Sequence, residues 1–97
     1  MRKLEEIKSG IRKNMSILRD KYKVKTIGVF GSCVRAEQDR GSDVDILVEL
    51  YETIDLFTFI ELENFLSESL GIKVDLVMKD TLKPRIKNYI LRETVTI

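Results

Sequence analysis

Leu4, Ile7, Ile11, Met15 and Leu18 recur every three or four residues. That spacing lays one apolar stripe along a helix, so residues 2–21 are expected to form a single amphipathic helix. Gly10 weakens it by ~1 kcal/mol. The run VKTIGVF (24–30) is short, apolar and β-branched, the signature of a strand ending at Gly31. SCVRAEQ (32–38) suits one or two helical turns capped by Ser32, and DRGS (39–42) is a loop. DVDILVEL (43–50) reads as a second strand. Residues 55–70 read as a helix capped by Asp55 and closed by Gly71. IKVDLVM (72–78) is a third strand. Thr81 is expected to cap a last helix over 82–92 that tolerates Pro84 in its first turn, and TVTI (94–97) to form a short closing strand. The order makes the fold class α/β (or α+β), a small sheet flanked by helices.

Size adds one constraint: 97 residues suit a single domain over 1–97. A content of 43% hydrophobic and 34% charged residues excludes a disordered chain. No apolar run approaches the roughly 20 residues of a membrane span. The N-terminus is too charged for a signal peptide. Cys33 is the only cysteine and there is no histidine, which excludes a disulfide framework, thiolate zinc sites and histidine catalysis. Any metal must be hard and held by oxygen. A cytoplasmic location fits.

The net charge of +1 hides an asymmetry. Residues 1–25 carry nine Lys/Arg against three acids, and residues 36–80 carry twelve acids against three Lys/Arg. The basic segment has no interleaved aromatics, so it reads as a solvated helix face rather than a nucleic-acid surface.

Candidate chemistry sits in GSCVRAEQDRGSDVDILV (31–48). Residues i and i+2 of a strand share a face, so Asp43 and Asp45 project together while Val44, Ile46 and Val48 enter the core. Paired carboxylates repel, and Mg²⁺, which takes one or two carboxylates plus phosphate oxygens, removes that cost. Gly31 lets a ligand approach the backbone closely. Free N–H groups at a helix start, with the Ser32 hydroxyl, attract anions. Together they make a phosphate seat beside a metal seat. Arg35 can contact phosphate or pair with an acid. Asp75, in an apolar strand, would be costly if buried and unpaired. Beside strand 43–50 it could ligate a second ion or accept a hydroxyl proton. Alone, a D-x-D is more often a surface pair and a G-S a simple turn; the combination is specific.

That combination resembles the nucleotidyltransferases of the DNA polymerase β-like superfamily, and within them the minimal nucleotidyltransferase (MNT) family, with its G-S-x-x-R-G-E, S-D-x-D and third-Asp pattern. The matching residues are Gly31, Ser32, Arg35, Ala36, Glu37, Ser42, Asp43, Asp45 and Asp75; Ala36 stands where the family usually has Gly. The resemblance implies the nucleotidyltransferase fold. It makes Gly31, Ser32, Arg35 and Ser42 nucleotide-binding, and Asp43, Asp45 and Asp75 both catalytic and metal-binding, with Mg²⁺ as cofactor and ATP as substrate.

The larger superfamily members append a domain for the acceptor, whereas this sequence stops soon after its third acid. It resembles the MNT antitoxins, which inactivate a HEPN-domain toxin by transferring AMP to a toxin tyrosine. The expected function is therefore an Mg²⁺-dependent protein adenylyltransferase acting as an antitoxin, with the toxin as partner and a hetero-oligomer as one form of the pair. The alternative is a non-catalytic nucleotide-binding antitoxin that neutralises its toxin by covering it. The chain's own Tyr22, Tyr51 and Tyr89 are weaker acceptor candidates, Tyr51 and Tyr89 being expected to pack.

Overall fold

A computed structural model describes residues 4–31, 34 and 43–97. The N-terminal apolar stripe forms two helices rather than one, α1 (Leu4–Lys13) and α2 (Met15–Asp20). Asn14 separates them with φ −105° and ψ 8°, in the bridge region rather than the helical well. Its side-chain amide donates to the Gly10 carbonyl at 2.8 Å, the local competition that makes Asn a poor helix-interior residue. The stripe survives the break: Ile7, Ile11 and Leu18 are fully buried. Gly10 has a packing role, because a Cβ there would meet Leu70 Cδ2 at 2.5 Å. Its missing methyl lets α1 close on the next long helix.

β1 spans Val24–Phe30 and β2 Val44–Leu50, so Asp43 stands just ahead of the ladder. α3 (Leu56–Leu70) starts and stops as the sequence indicates. The Asp55 carboxylate accepts the Thr58 N–H at 2.7 Å, and Gly71 closes the helix at φ 66°. β3 (Val74–Met78) begins two residues later than its apolar run. Thr81 does not cap the last helix. It ends a 3-10 turn (Lys79–Thr81) and donates its hydroxyl to the Met78 carbonyl at 2.8 Å. α4 (Pro84–Glu93) starts instead on Pro84, whose missing N–H costs nothing at that position. β4 is short, Val95–Thr96. The short helix expected at 32–38 lies outside the described residues.

The four strands make a mixed sheet in the order β3-β2-β1-β4. β1 is antiparallel to β2 and β4, and β2 is parallel to β3. A parallel neighbour needs a crossover, which α3 supplies. One face of the sheet, carrying Ile27, Val29, Val44, Ile46, Val48, Val74 and Leu76, packs with α1, α2 and α3 into a single core cluster. The opposite face therefore carries the alternate positions Phe30, Asp45 and Asp75.

β3 lies at the edge of the sheet, and two of its N–H groups are taken by α3 side chains. The Val74 N–H donates to Ser67 Oγ at 3.0 Å and the Leu76 N–H to Glu63 Oε2 at 2.9 Å. These bonds occupy donors that an edge strand would otherwise offer to another chain. Among the described residues, no helix is long and apolar enough to cross a membrane.

Candidate active site

The site is built where β1 ends and β2 and β3 begin. Asp45 is the Cα partner of Phe30 on one side and of Asp75 on the other. Directly opposed residues point to the same face, so the Asp45 and Asp75 carboxylates are lateral neighbours. Asp43, two residues upstream on the same chain, has a half-exposed side chain whose Oδ2 lies 3.9 Å from Lys73 Nζ. At that distance and exposure the pair contributes little to stability. Asp45 is half-buried and Asp75 is exposed. The expectation of a costly buried Asp75 therefore fails: an edge strand leaves its carboxylate in water, and no desolvation penalty calls for a ligand.

Gly31 ends β1 in the left-handed region, φ 78°. The Val34 N–H closes a turn onto its carbonyl at 3.1 Å. Gly31 is buried, and a Cβ on it would run into the Asp45 carboxylate. Glycine is thus required twice here, by φ and by the carboxylate it lies against. Ser32, Arg35 and Ser42, with Cys33, Ala36 and Glu37, lie outside the described residues.

One residue at this end was not singled out from the sequence. Glu93, the last residue of α4, accepts the Gly31 N–H on Oε1 at 2.8 Å. The available signal was electrostatic: a carboxylate in the last turn opposes the helix dipole, so its placement needs another reason.

The donor set is oxygen only, as a hard cation requires. Among the described residues, no three carboxylates converge into a ready-made metal cage. Mg²⁺ usually relies on one or two carboxylates and takes its remaining oxygens from substrate phosphates and water. Acids set on neighbouring strands beside a glycine turn fit that mode.

The family model for the nucleotidyltransferase domain matches residues 11–97, nearly the whole described fold. The chain belongs to the nucleotidyltransferase domain family. Protein adenylyltransferase MntA of Thermococcus cleftensis is 50% identical to this nucleotidyltransferase over 94 residues, 97% of this chain and 95% of its own. A candidate protein adenylyltransferase of Methanocaldococcus jannaschii is 52% identical over the full length of both chains. Among solved structures, a candidate minimal nucleotidyltransferase superposes with a TM-score of 0.85 at 30% identity, covering 99% of this chain and 97% of its own. The MNT antitoxin complex with a tri-AMPylated HEPN toxin of Shewanella oneidensis matches with a TM-score of 0.69 at 25% identity, over 93% of this chain and 70% of that one. The sheet and its flanking helices thus form the minimal nucleotidyltransferase fold, as the sequence pattern implied.

Proposed function

We propose that this chain is an Mg²⁺-dependent protein adenylyltransferase that transfers AMP from ATP to a tyrosine hydroxyl of a partner HEPN-domain toxin and so acts as its antitoxin. The observation that carries the reading is the Asp45–Asp75 register beside the Gly31 turn, in a chain half identical to an MntA adenylyltransferase across nearly all of both sequences. A solved toxin–antitoxin relative, 27% identical with a TM-score of 0.70, holds the ATP analogue AMP-PNP.

Asp43 and Asp45 would hold the metal. Bound there, Mg²⁺ would supply charge neutralisation of the triphosphate. The acceptor oxygen attacks the α-phosphorus in line; the new O–P bond forms as the bond to the β-phosphate oxygen breaks. Asp75, exposed and beside Asp45, takes the hydroxyl proton. In this reading Ser32, Arg35 and Ser42 serve the phosphates, and the reaction runs in the cytoplasm. Gly31 supplies room and a turn.

Tyr51 and Tyr89 are 71% and 58% exposed, not packed as expected, whereas Tyr22 is buried. Both exposed rings serve as internal controls for self-modification. The test is intact mass of a HEPN-domain toxin after incubation with this chain, ATP and Mg²⁺. Addition of one or more AMP units supports the proposal. Silencing of the toxin on binding, with no mass change, would establish the non-catalytic antitoxin instead.

A further inference from the structure

α4 has no buried residue, and Ile86, Tyr89 and Leu91 on it are exposed. Burial of apolar side chains therefore does not fix its C-terminal end. That end is held by the β4 ladder, where Val95 pairs with Val29 and Thr96 with Gly28, and by the Glu93–Gly31 bond across 62 residues of sequence. The bond ends on the backbone N–H of Gly31, which sits in the left-handed region against Asp45.

We propose that Glu93 is a positioning residue for the nucleotide. By holding the Gly31 N–H it fixes the left-handed turn after β1, and with that turn the space in which the Asp45 carboxylate stands. The anion that the Gly31 amide binds is internal. A phosphate oxygen reaching for the same N–H would meet the Glu93 carboxylate and be repelled. Gly31 thus serves the triphosphate through the shape of the turn, and the donors to phosphate come from elsewhere. A buried N–H without its acceptor carries the full desolvation penalty, so removing Glu93 loosens the turn.

This inference rests on the nucleotide-binding reading, and its test separates the two. Mg²⁺-ATP binding is measured by calorimetry for the parent, Glu93→Ala and Glu93→Gln, with exchange of the Gly31 amide followed by NMR in the nucleotide-free chain. An amide oxygen still accepts a hydrogen bond, so Glu93→Gln should bind within about threefold of the parent. Glu93→Ala should bind roughly tenfold or more weakly, the size expected for losing a charge-assisted bond, and its Gly31 amide should exchange faster. Should Glu93→Ala fail to fold, Glu93→Asp, one methylene short, carries the same expectation.

Folded Glu93→Ala protein that binds Mg²⁺-ATP like the parent would make Glu93 only a tether for α4 and overturn the proposal. Tighter binding by either variant would make it an anion competing with phosphate, which also overturns it. A parent that binds no Mg²⁺-ATP would sink the nucleotide reading and this proposal with it. That failure is recognisable because it appears before any substitution is made.

Discussion

Asp45 and Asp75 are partners in the parallel ladder between β2 and β3, although 30 residues of chain separate them. The crossover helix α3 makes this juxtaposition, and the ladder register fixes it more firmly than any side-chain contact would. The two acids differ in exposure: Asp45 is half-buried on an inner strand and Asp75 is exposed on the edge strand.

That difference separates binding from chemistry. In the proposed reaction Asp45 holds the metal, so Asp45→Asn should lose metal-dependent ATP binding in calorimetry, as should Asp43→Asn. Asp75→Asn leaves both of those acids in place, so ATP affinity should fall only modestly. An amide cannot take the acceptor proton, and transfer of AMP should fall by ~10²-fold or more. Equal losses of binding in all three variants would show that Asp75 is a plain metal ligand.

Gly31→Ala tests the turn itself. An L-residue in the left-handed region costs about 1–2 kcal/mol, and the new methyl group points into the Asp45 carboxylate. Urea denaturation should show a loss of at least that size, and Mg²⁺-ATP binding should fall with it. A stable variant with parental affinity would mean that the turn relaxes freely and that its shape does not matter to the nucleotide.

The long-range logic of the site was only partly legible in the sequence. The inward-facing Val44, Ile46 and Val48, and with them the opposite face that carries Asp45, were readable because period-two alternation marks strand faces, and Asp55 and Gly71 because caps are local chemistry. The break at Asn14 was not read, because the apolar stripe continues through it and only backbone angles record the change. Gly10 read as a weakness because the reason for it, Leu70, lies sixty residues away. Thr81 was misread as a cap because threonine serves a 3-10 turn as readily as a helix start. Glu93 reaches the Gly31 N–H across 62 residues, and the edge-sealing pair Glu63 and Ser67 bond N–H groups of the strand after their own helix. No periodicity encodes those partnerships.

Edge sealing makes a prediction of its own. In Glu63→Ala the Leu76 N–H loses a carboxylate acceptor, at a cost of roughly 1.5–3 kcal/mol. The freed donor can then pair with another chain. Analytical ultracentrifugation should show stronger concentration-dependent self-association than the parent shows, together with the stability loss. Lost stability without association would mean that water alone satisfies the exposed edge.

The α3 cap predicts how stability responds to acid. The Thr58 hydroxyl, and after it the Thr58 N–H, hydrogen-bond the Asp55 carboxylate and hold its pKa below the ordinary value. A folded-state pKa below the unfolded one means that the unfolded chain binds its proton first as pH falls. The contribution of the charged cap is therefore complete above the unfolded value of about 4 and is lost as pH falls through the lower folded value. Asp55→Ala should lower the melting temperature at pH 7, since α3 carries the buried Leu62, Leu66 and Leu70 and its start is then uncapped. Melts of parent and variant between pH 7 and pH 2 should show a constant gap down to roughly pH 5 that narrows below about pH 4. A gap of the same width at pH 2 would show that the cap stabilises α3 through hydrogen-bond geometry alone, without its charge.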